Sequence, residues 1–348
     1  MALIKNVRIF LFAGGKSKDA NIVAAETETF RSRYYYPCKS KNTQMQKVLI
    51  TGARGFLGSN LVFLLSKNER YSIFLTSRSE PSGNHYSEKY YCGDLLDKTF
   101  VNRMIAKIEP DIVINTVSLV NVDLCEENPA LAEKIIVNTS RNLANSLSNL
   151  DCRLIHISTD QLFNGEREFY SEDDIPSPLN VYGRLKLDAE NIVQEAKPEV
   201  AIIRTNFFGW SPPRHPPTFA EWIFNGLNEK KPMTLFTDLF FSPLEVSLLI
   251  ESLQDVMKSD FSGIVNIVGS ERCSKFDFGI ALASTFDLDD SIIIPSKISP
   301  EFFKAARPRD MSLSINKFRK IFNRDLPDLR TSLARFFLNR PMKTLLWE

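Results

Sequence analysis

The amino-acid sequence predicts an α/β chain built on a doubly wound parallel sheet with a smaller, discontinuous C-terminal domain, and three observations predict it. A short apolar strand, Lys47 to Thr51, runs directly into glycines 52, 55 and 58 and then into a helix. From there short β-branched runs alternate with helical patterns, the signature of a parallel sheet covered on both faces. After Arg204 the chain turns into the loop Trp210-Ser211-Pro212-Pro213-Arg214-His215-Pro216-Pro217 and then into phenylalanine-rich helical or irregular sequence. That change marks a second domain.

Residues 1 to 46 stand apart as an N-terminal extension. Lys16 to Gln46 has little periodicity, and the extension carries eight Lys and Arg against three acidic residues. A transit peptide fits that composition. Its apolar run is too short for secretion, however, and Met45 stands two residues before the first strand. A weakly ordered, dispensable extension or an upstream start is the preferred reading. Strands are expected at Lys47 to Thr51, Ile73 to Thr76, Tyr90 to Cys92, Ile112 to Thr116, Arg153 to Ser158, Val200 to Arg204 and Val265 to Val268. The clearest helices are Asn60 to Ser66, Thr99 to Lys107, Pro129 to Asn149 and Tyr182 to Glu195, each with apolar residues recurring at three and four. Because Val265 to Val268 still reads as sheet, the nucleotide-binding domain spans 47–208 plus about 236–269. The substrate domain then spans about 209–235 plus 270–340.

Composition removes several classes of partner. A formal net charge of +1 over 348 residues gives no field for nucleic acid or a membrane surface. No apolar run approaches the ~20 residues of a membrane span. The cysteines at 38, 92, 125, 152 and 273 form no CxxC or metal-ligand cluster, so they read as reduced thiols of a cytoplasmic protein without a metal. His156 lies in an apolar run and is assigned to the core.

The glycine spacing, GxxGxxG, points to a dinucleotide. Gly52 can take positive φ at the tight strand-to-helix turn, Gly55 lets a pyrophosphate approach the backbone, and Gly58 lets the helix pack on the sheet. Phosphates then meet the free N–H groups and positive dipole end of that helix. Gly52, Arg54, Gly55, Phe56, Leu57 and Gly58 are the candidate phosphate loop. At the end of the second strand, Ser77 and Arg78 suit a ribose 2′-phosphate, which favours NADPH. NADH is the alternative, with Glu80 serving a looser ribose site.

Two further constellations carry chemistry. Tyr182 and Lys186 stand at i and i+4, on one helix face. A phenol with a pKa near ~10 is a sluggish acid unless a nearby ammonium lowers that value, and Lys186 is placed to do so. Upstream, the strand Arg153 to Ser158 delivers Ser158, Thr159 and Asp160 to the sheet's carboxyl edge, where open α/β sheets meet their ligands.

Taken together, these motifs resemble the extended short-chain dehydrogenases/reductases, and within them the dTDP-4-dehydrorhamnose reductases, over about residues 46 to 338. The residues that carry the resemblance are Thr51 to Gly58, Gly93-Asp94-Leu95, Asn115, Val122-Asp123 with Glu126 and Pro129, Asn138, Ser158-Thr159-Asp160, Tyr182 to Lys186, Arg204-Thr205, Ser242-Pro243, Arg307-Pro308-Arg309 and Leu326-Pro327. The resemblance implies that Tyr182 donates a proton to a ketone oxygen while the nicotinamide delivers hydride. Lys186 would lower the tyrosine pKa and hold the nicotinamide ribose, and Thr159 would hydrogen-bond the substrate oxygen. It places Asp94 and Leu95 at the adenine, Val117 and Ser118 along the cofactor, and Asp160 and Phe207 at the substrate. The chain departs from the pattern in Thr116 to Leu119, where small residues are usual, and in Phe207, where a tryptophan is usual. An altered sugar pocket follows.

The implied activity is NADPH-dependent reduction of a 4-keto-6-deoxysugar nucleotide in polysaccharide precursor synthesis. Two other readings stand beside it: a non-catalytic NADP-binding regulatory subunit resembling the methionine adenosyltransferase beta subunit, and a redox-neutral nucleotide-sugar epimerase. A homodimer is entertained, though nothing in the sequence fixes the oligomeric state.

Overall fold

The computed structural model describes residues 45–79, 89–212 and 215–341. Residues 1–44, Glu80, Pro213 and Arg214 lie outside them. Strands β1 (Gln46–Thr51), β2 (Tyr71–Ser77), β3 (Tyr90–Cys92), β4 (Ile112–Asn115), β5 (Arg153–Ile157) and β6 (Ala201–Arg204) join the later strand Gly263–Asn266 in one parallel sheet. Its order is Gly263–Asn266, β6, β5, β4, β1, β2, β3. The order reverses between β4 and β1, which opens a crevice at their carboxyl ends. Thr51 lies in register with Thr76 on one side and with Asn115 on the other, so three polar side chains end level at that crevice.

The alternation of a strand explains the two layers. Val48 and Ile50 face a core shared with Leu57, Leu61 and Leu65 of the helix Phe56–Leu65 and with Leu249, Leu253 and Val256 of the helix Val246–Lys258. Leu49 faces the opposite core, with Met104, Ile105, Leu143 and Leu147 from the helices Lys98–Ile108 and Thr139–Leu147.

Element edges differ from expectation where side chains compete with the ladders. β4 stops at Asn115 because the Thr116 hydroxyl donates to Thr51 O at 2.7 Å and leaves the strand. The first helix starts at Phe56 rather than Asn60, with Gly55 in extended conformation as its cap and no side chain closing it. The expected single helix from Pro129 to Asn149 is Pro129–Glu133, a π turn at Lys134–Asn138, and Thr139–Leu147. At that turn the hydroxyls of Thr139 and Ser140 donate to the carbonyls of Ile135 and Ile136, at 2.6 and 2.7 Å, which helps satisfy acceptors where the regular ladder is interrupted.

A second core gathers Phe208, Phe224, Leu235, Phe241, Phe278, Leu333 and Phe336. Trp210 stacks on Phe336 with ring centroids 4.2 Å apart and donates its indole N–H to Phe336 O at 2.8 Å. The segment from Leu313 to Leu326 packs in the first core instead, through Leu313, Ile315, Phe318 and Leu326. Asn266 ties it there by donating to Tyr170 O and Ser314 O, both at 3.1 Å.

One buried ion pair fixes the helix Val181–Ala196 to the sheet. Arg204, at the end of β6, donates to both carboxylate oxygens of Glu190, with the closest contact at 2.8 Å and both side chains almost fully buried. Glu190→Ala strands that guanidinium without its counter-charge and is expected to cost about 3–5 kcal/mol in urea unfolding. A loss below about 1 kcal/mol would show that the pair holds nothing in place.

Candidate active site

The crevice is a cavity of about 270 Å³. Gly52 turns the chain at its floor with φ +64°, and a Cβ there would meet Thr116 Oγ1 at 2.8 Å. Gly55 closes the turn by donating its N–H to Gly52 O at 2.8 Å. Both glycines line the cavity together with Arg54. Gly58 does not reach the cavity surface: a Cβ on it would stand 2.2 Å from Gly52 O, so its role is to let the helix lie against the loop. Leu57 is buried in the first core, and Phe56 stacks against Phe207 at 5.5 Å. Phe207 therefore packs on the first residue of the helix Phe56–Leu65, and neither ring lines the cavity.

At one end of the cavity lie Ser77, the last residue of β2, and Arg78 and Ser79 after it, and Arg54 donates to Ser79 Oγ at 2.6 Å. Two guanidinium groups and two hydroxyls thus share the end of β2. Asp94 and Leu95 line the adjoining wall, where Asn142 donates to Leu95 O at 2.9 Å and Asp94 accepts the N–H of Leu96 at 3.0 Å. Val117 and Ser118 line the far end. The cavity also takes in Thr76, Thr116, Ile135 and Thr139, which the sequence reading did not select. Thr76 was recoverable from strand alignment, since it pairs with Thr51. Ile135 and Thr139 were not, because an interrupted helix looks continuous in periodicity.

The hydroxyl of Thr76 is buried without a hydrogen-bond partner among the described residues. Stranded donors cost free energy unless a ligand completes them. With the glycine cradle and the two arginines, the residues present fit a phosphorylated dinucleotide. A larger open depression of about 430 Å³ lies between Asn121–Glu127 and Glu301–Lys304. There Asp123 is taken by Arg307 at 3.0 Å and Glu127 by Lys304.

The catalytic candidates meet beyond Ser118. Asn180 caps the helix Val181–Ala196 by accepting the Gly183 N–H at 2.8 Å. A Cβ on Gly183 would stand 2.3 Å from Gln161 O. That close approach brings Tyr182, only 7% exposed, under the strand end that carries Thr159. Burial pushes the Tyr182 phenol up to about 12; hydrogen bonds with Thr159 and Ser118 oppose the rise, while the nearby Asp160 carboxylate adds to it. The expectation that Lys186 lowers this pKa is corrected. Lys186 is buried with its ammonium donating to Ile157 O at 2.6 Å, and burial brings its own pKa down to about 8. Desolvation outweighs what the i, i+4 spacing offered. Tyr182 is consequently a neutral phenol that keeps its proton.

Asp160 is 2% exposed and accepts from Asn206 Nδ2 and, at 3.2 Å, from the Thr159 hydroxyl. Burial raises its pKa to about 6. His156 is buried beside Asn115 at 3.1 Å, and burial together with the nearby Lys186 charge drives its pKa down, so it stays neutral. Among the described residues no group of side chains is suited to a metal, and no helix is long and apolar enough to cross a membrane. Cys92, Cys125, Cys152 and Cys273 are free thiols.

A sequence profile of the RmlD substrate binding domain matches residues 45–340. The chain belongs to this family. The RmlD match spans the glycine loop, the Tyr182–Lys186 helix and the second core alike. Among relatives, the chain is 28% identical to dTDP-4-dehydrorhamnose reductase of Escherichia coli over 262 residues, covering 70% of this chain and 85% of that protein. It is 27% identical to the mouse (Mus musculus) methionine adenosyltransferase 2 subunit beta over 287 residues, covering 80% and 84%. A crystal structure of dTDP-4-dehydrorhamnose reductase from Bacillus anthracis in complex with NADP superposes with a TM-score of 0.76 at 25% identity, covering 85% of this chain and 99% of that one. The Rossmann-type sheet order agrees with membership of the RmlD family.

Proposed function

We propose that the protein is an NADPH-dependent reductase of a 4-keto-6-deoxyhexose nucleotide, acting in the cytoplasm on precursors of a polysaccharide. The observation that carries this is the continuity of the crevice: it runs from Arg54 and Arg78 to Ser118, and Ser118 faces the Tyr182 phenol. A dinucleotide lying along it, phosphate on the glycine loop, ends at the proton donor.

Bound NADPH supplies the hydride. Tyr182 holds a proton at its phenol and releases it to the ketone oxygen as negative charge develops there. Thr159 stands beside it, and its long 3.2 Å bond to Asp160 is one that a substrate oxygen can replace. Lys186 holds Ile157 O and presents a positive charge below the same site.

The mechanism is tested by NADPH oxidation with a panel of keto-sugar nucleotides, including dTDP-4-keto-6-deoxymannose. One NADPH consumed per ketone reduced supports the reductase. The similarity to methionine adenosyltransferase 2 subunit beta favours a second reading, a regulatory NADP-binding subunit. NADPH binding without turnover on any of the panel would select it. For the cofactor itself, Arg78→Ala is expected to weaken NADPH binding about tenfold by removing a charge-assisted contact to the 2′-phosphate, with NADH binding unchanged. Equal losses for both nucleotides in calorimetric titration would remove Arg78 from that role.

A further inference from the structure

The turn that follows β2 is held by β3, carbonyl by carbonyl. The two strands run parallel, with Leu75 opposite Tyr90 and Ser77 opposite Cys92. Beyond that ladder the Gly93 N–H donates to Ser77 O at 3.0 Å, the Cys92 thiol to Arg78 O at 3.5 Å, and the Tyr90 hydroxyl to Ser79 O at 3.0 Å. The Ser77 hydroxyl stands 2.7 Å from the same Ser79 carbonyl and shares a hydrogen bond with the Tyr90 hydroxyl. Behind that hydroxyl the half-buried Tyr90 ring packs against the first core. Arg78 and Ser79 are themselves exposed and line the cavity.

We propose that Tyr90 is a positioning residue that sets the preference for NADPH over NADH, its hydroxyl fastening the turn Ser77–Ser79 to β3 so that Arg78 meets the ribose 2′-phosphate. The proposal rests on the reading of this cavity end as the 2′-phosphate seat. A hydroxyl has one proton to give. With the two hydroxyls in contact, either Ser77 donates to Tyr90 and Tyr90 to Ser79 O, or Tyr90 donates to Ser77 and Ser77 to Ser79 O. Both orders end on the Ser79 carbonyl, so neither proton is left for a phosphate. Ser77, expected from the sequence to meet the phosphate, is thereby part of the fastening. What the turn presents to the phosphate is the Arg78 guanidinium, whose charge-assisted bonds depend on direction. A turn already held in place needs no further ordering when the nucleotide arrives. Without the Tyr90 hydroxyl, Ser77 still bonds Ser79 within the turn, but the hold of β3 on Ser79 O is gone. NADH carries no 2′-phosphate, so its binding does not draw on where Arg78 points.

The test uses the full chain as unsubstituted protein, Tyr90→Phe, Arg78→Ala and the double variant, each titrated calorimetrically with NADPH and with NADH. Phenylalanine keeps the ring against the first core and removes only the hydroxyl. Tyr90→Phe is expected to weaken NADPH binding at least about fivefold and to leave NADH binding within about twofold. In the Arg78→Ala background the same substitution should change NADPH affinity by less than about twofold, because the group it positions is gone. Ser77→Ala, which keeps the Tyr90 bond to Ser79 O, should lose less NADPH affinity than Tyr90→Phe does. Unchanged NADPH affinity in Tyr90→Phe, equal losses for the two nucleotides, or a loss that adds in full to that of Arg78→Ala overturns the proposal. A larger loss in Ser77→Ala also overturns it, by making Ser77 the phosphate ligand. If Arg78→Ala itself weakens both nucleotides alike, the 2′-phosphate seat lies elsewhere and the proposal falls with that reading; the other failures leave the reading standing.

Discussion

Tyr182→Phe is expected to lower kcat by at least about 10² while leaving NADPH affinity within a factor of about two. The substitution removes one oxygen from a side chain that is already almost fully buried, so the fold keeps its packing. What disappears is the only proton on the ring that can be given to a ketone. Burial, the chief cause, raises the phenol's pKa to about 12, which keeps its proton in place until charge develops on the ketone oxygen. A group that stays protonated across the neutral range supplies a proton at every turnover, and removing it leaves water as the donor. The pair kcat and NADPH Kd separates this from a packing defect. Full turnover in Tyr182→Phe would mean that another group is the acid, and a parallel loss of NADPH binding would mean that the phenol shapes the cofactor seat.

Gly58→Ala should be nearly as damaging by a different route. Its new methyl would stand 2.2 Å from Gly52 O and 2.8 Å from Gly52 C, closer than any real side chain tolerates. Backbone is on both sides of the clash, so relief requires the helix Phe56–Leu65 to lift away from β1. That helix carries Leu57, Leu61 and Leu65 into the first core, and overpacking of this kind costs about 1–3 kcal/mol. The same displacement moves the helix N-terminus away from the phosphates, so NADPH affinity is expected to fall at least about tenfold. Gly55→Ala provides the contrast, since its Cβ would meet only Gly52 O at 3.2 Å. If Gly58→Ala binds NADPH as tightly as the unsubstituted protein, the loop is not the phosphate seat.

Much of this was legible in the sequence for reasons that are local. Glycines 52 and 58 announce a turn because a Cβ at either position would press on its neighbours at under 3 Å. The alternation of Val48, Leu49 and Ile50 announces a strand buried on both faces. Tyr182 and Lys186 share a helix face by geometry alone. What could not be read depends on burial or on distant chain. Whether Lys186 lowers the Tyr182 pKa is decided by desolvation, and the ammonium's turn toward Ile157 O has no trace in the spacing. The π turn at Lys134–Asn138 preserves helical periodicity on both sides, so Ile135 and Thr139 remained hidden. The return of Leu313 to Leu326 to the first core is fixed by Asn266, nearly fifty residues earlier than Ser314.

The central claim is that this crevice transfers a hydride to a sugar ketone whose oxygen receives the Tyr182 proton. The direct measurement is to supply NADPH deuterated at the transferring position together with a 4-keto-6-deoxyhexose nucleotide and to read the product by NMR. The account predicts one deuterium on the carbinol carbon at C4 for each NADPH consumed, and none when Tyr182→Phe replaces the enzyme over the same time. Product formed without deuterium at C4 and without net NADPH oxidation would contradict it and identify a redox-neutral reaction in its place.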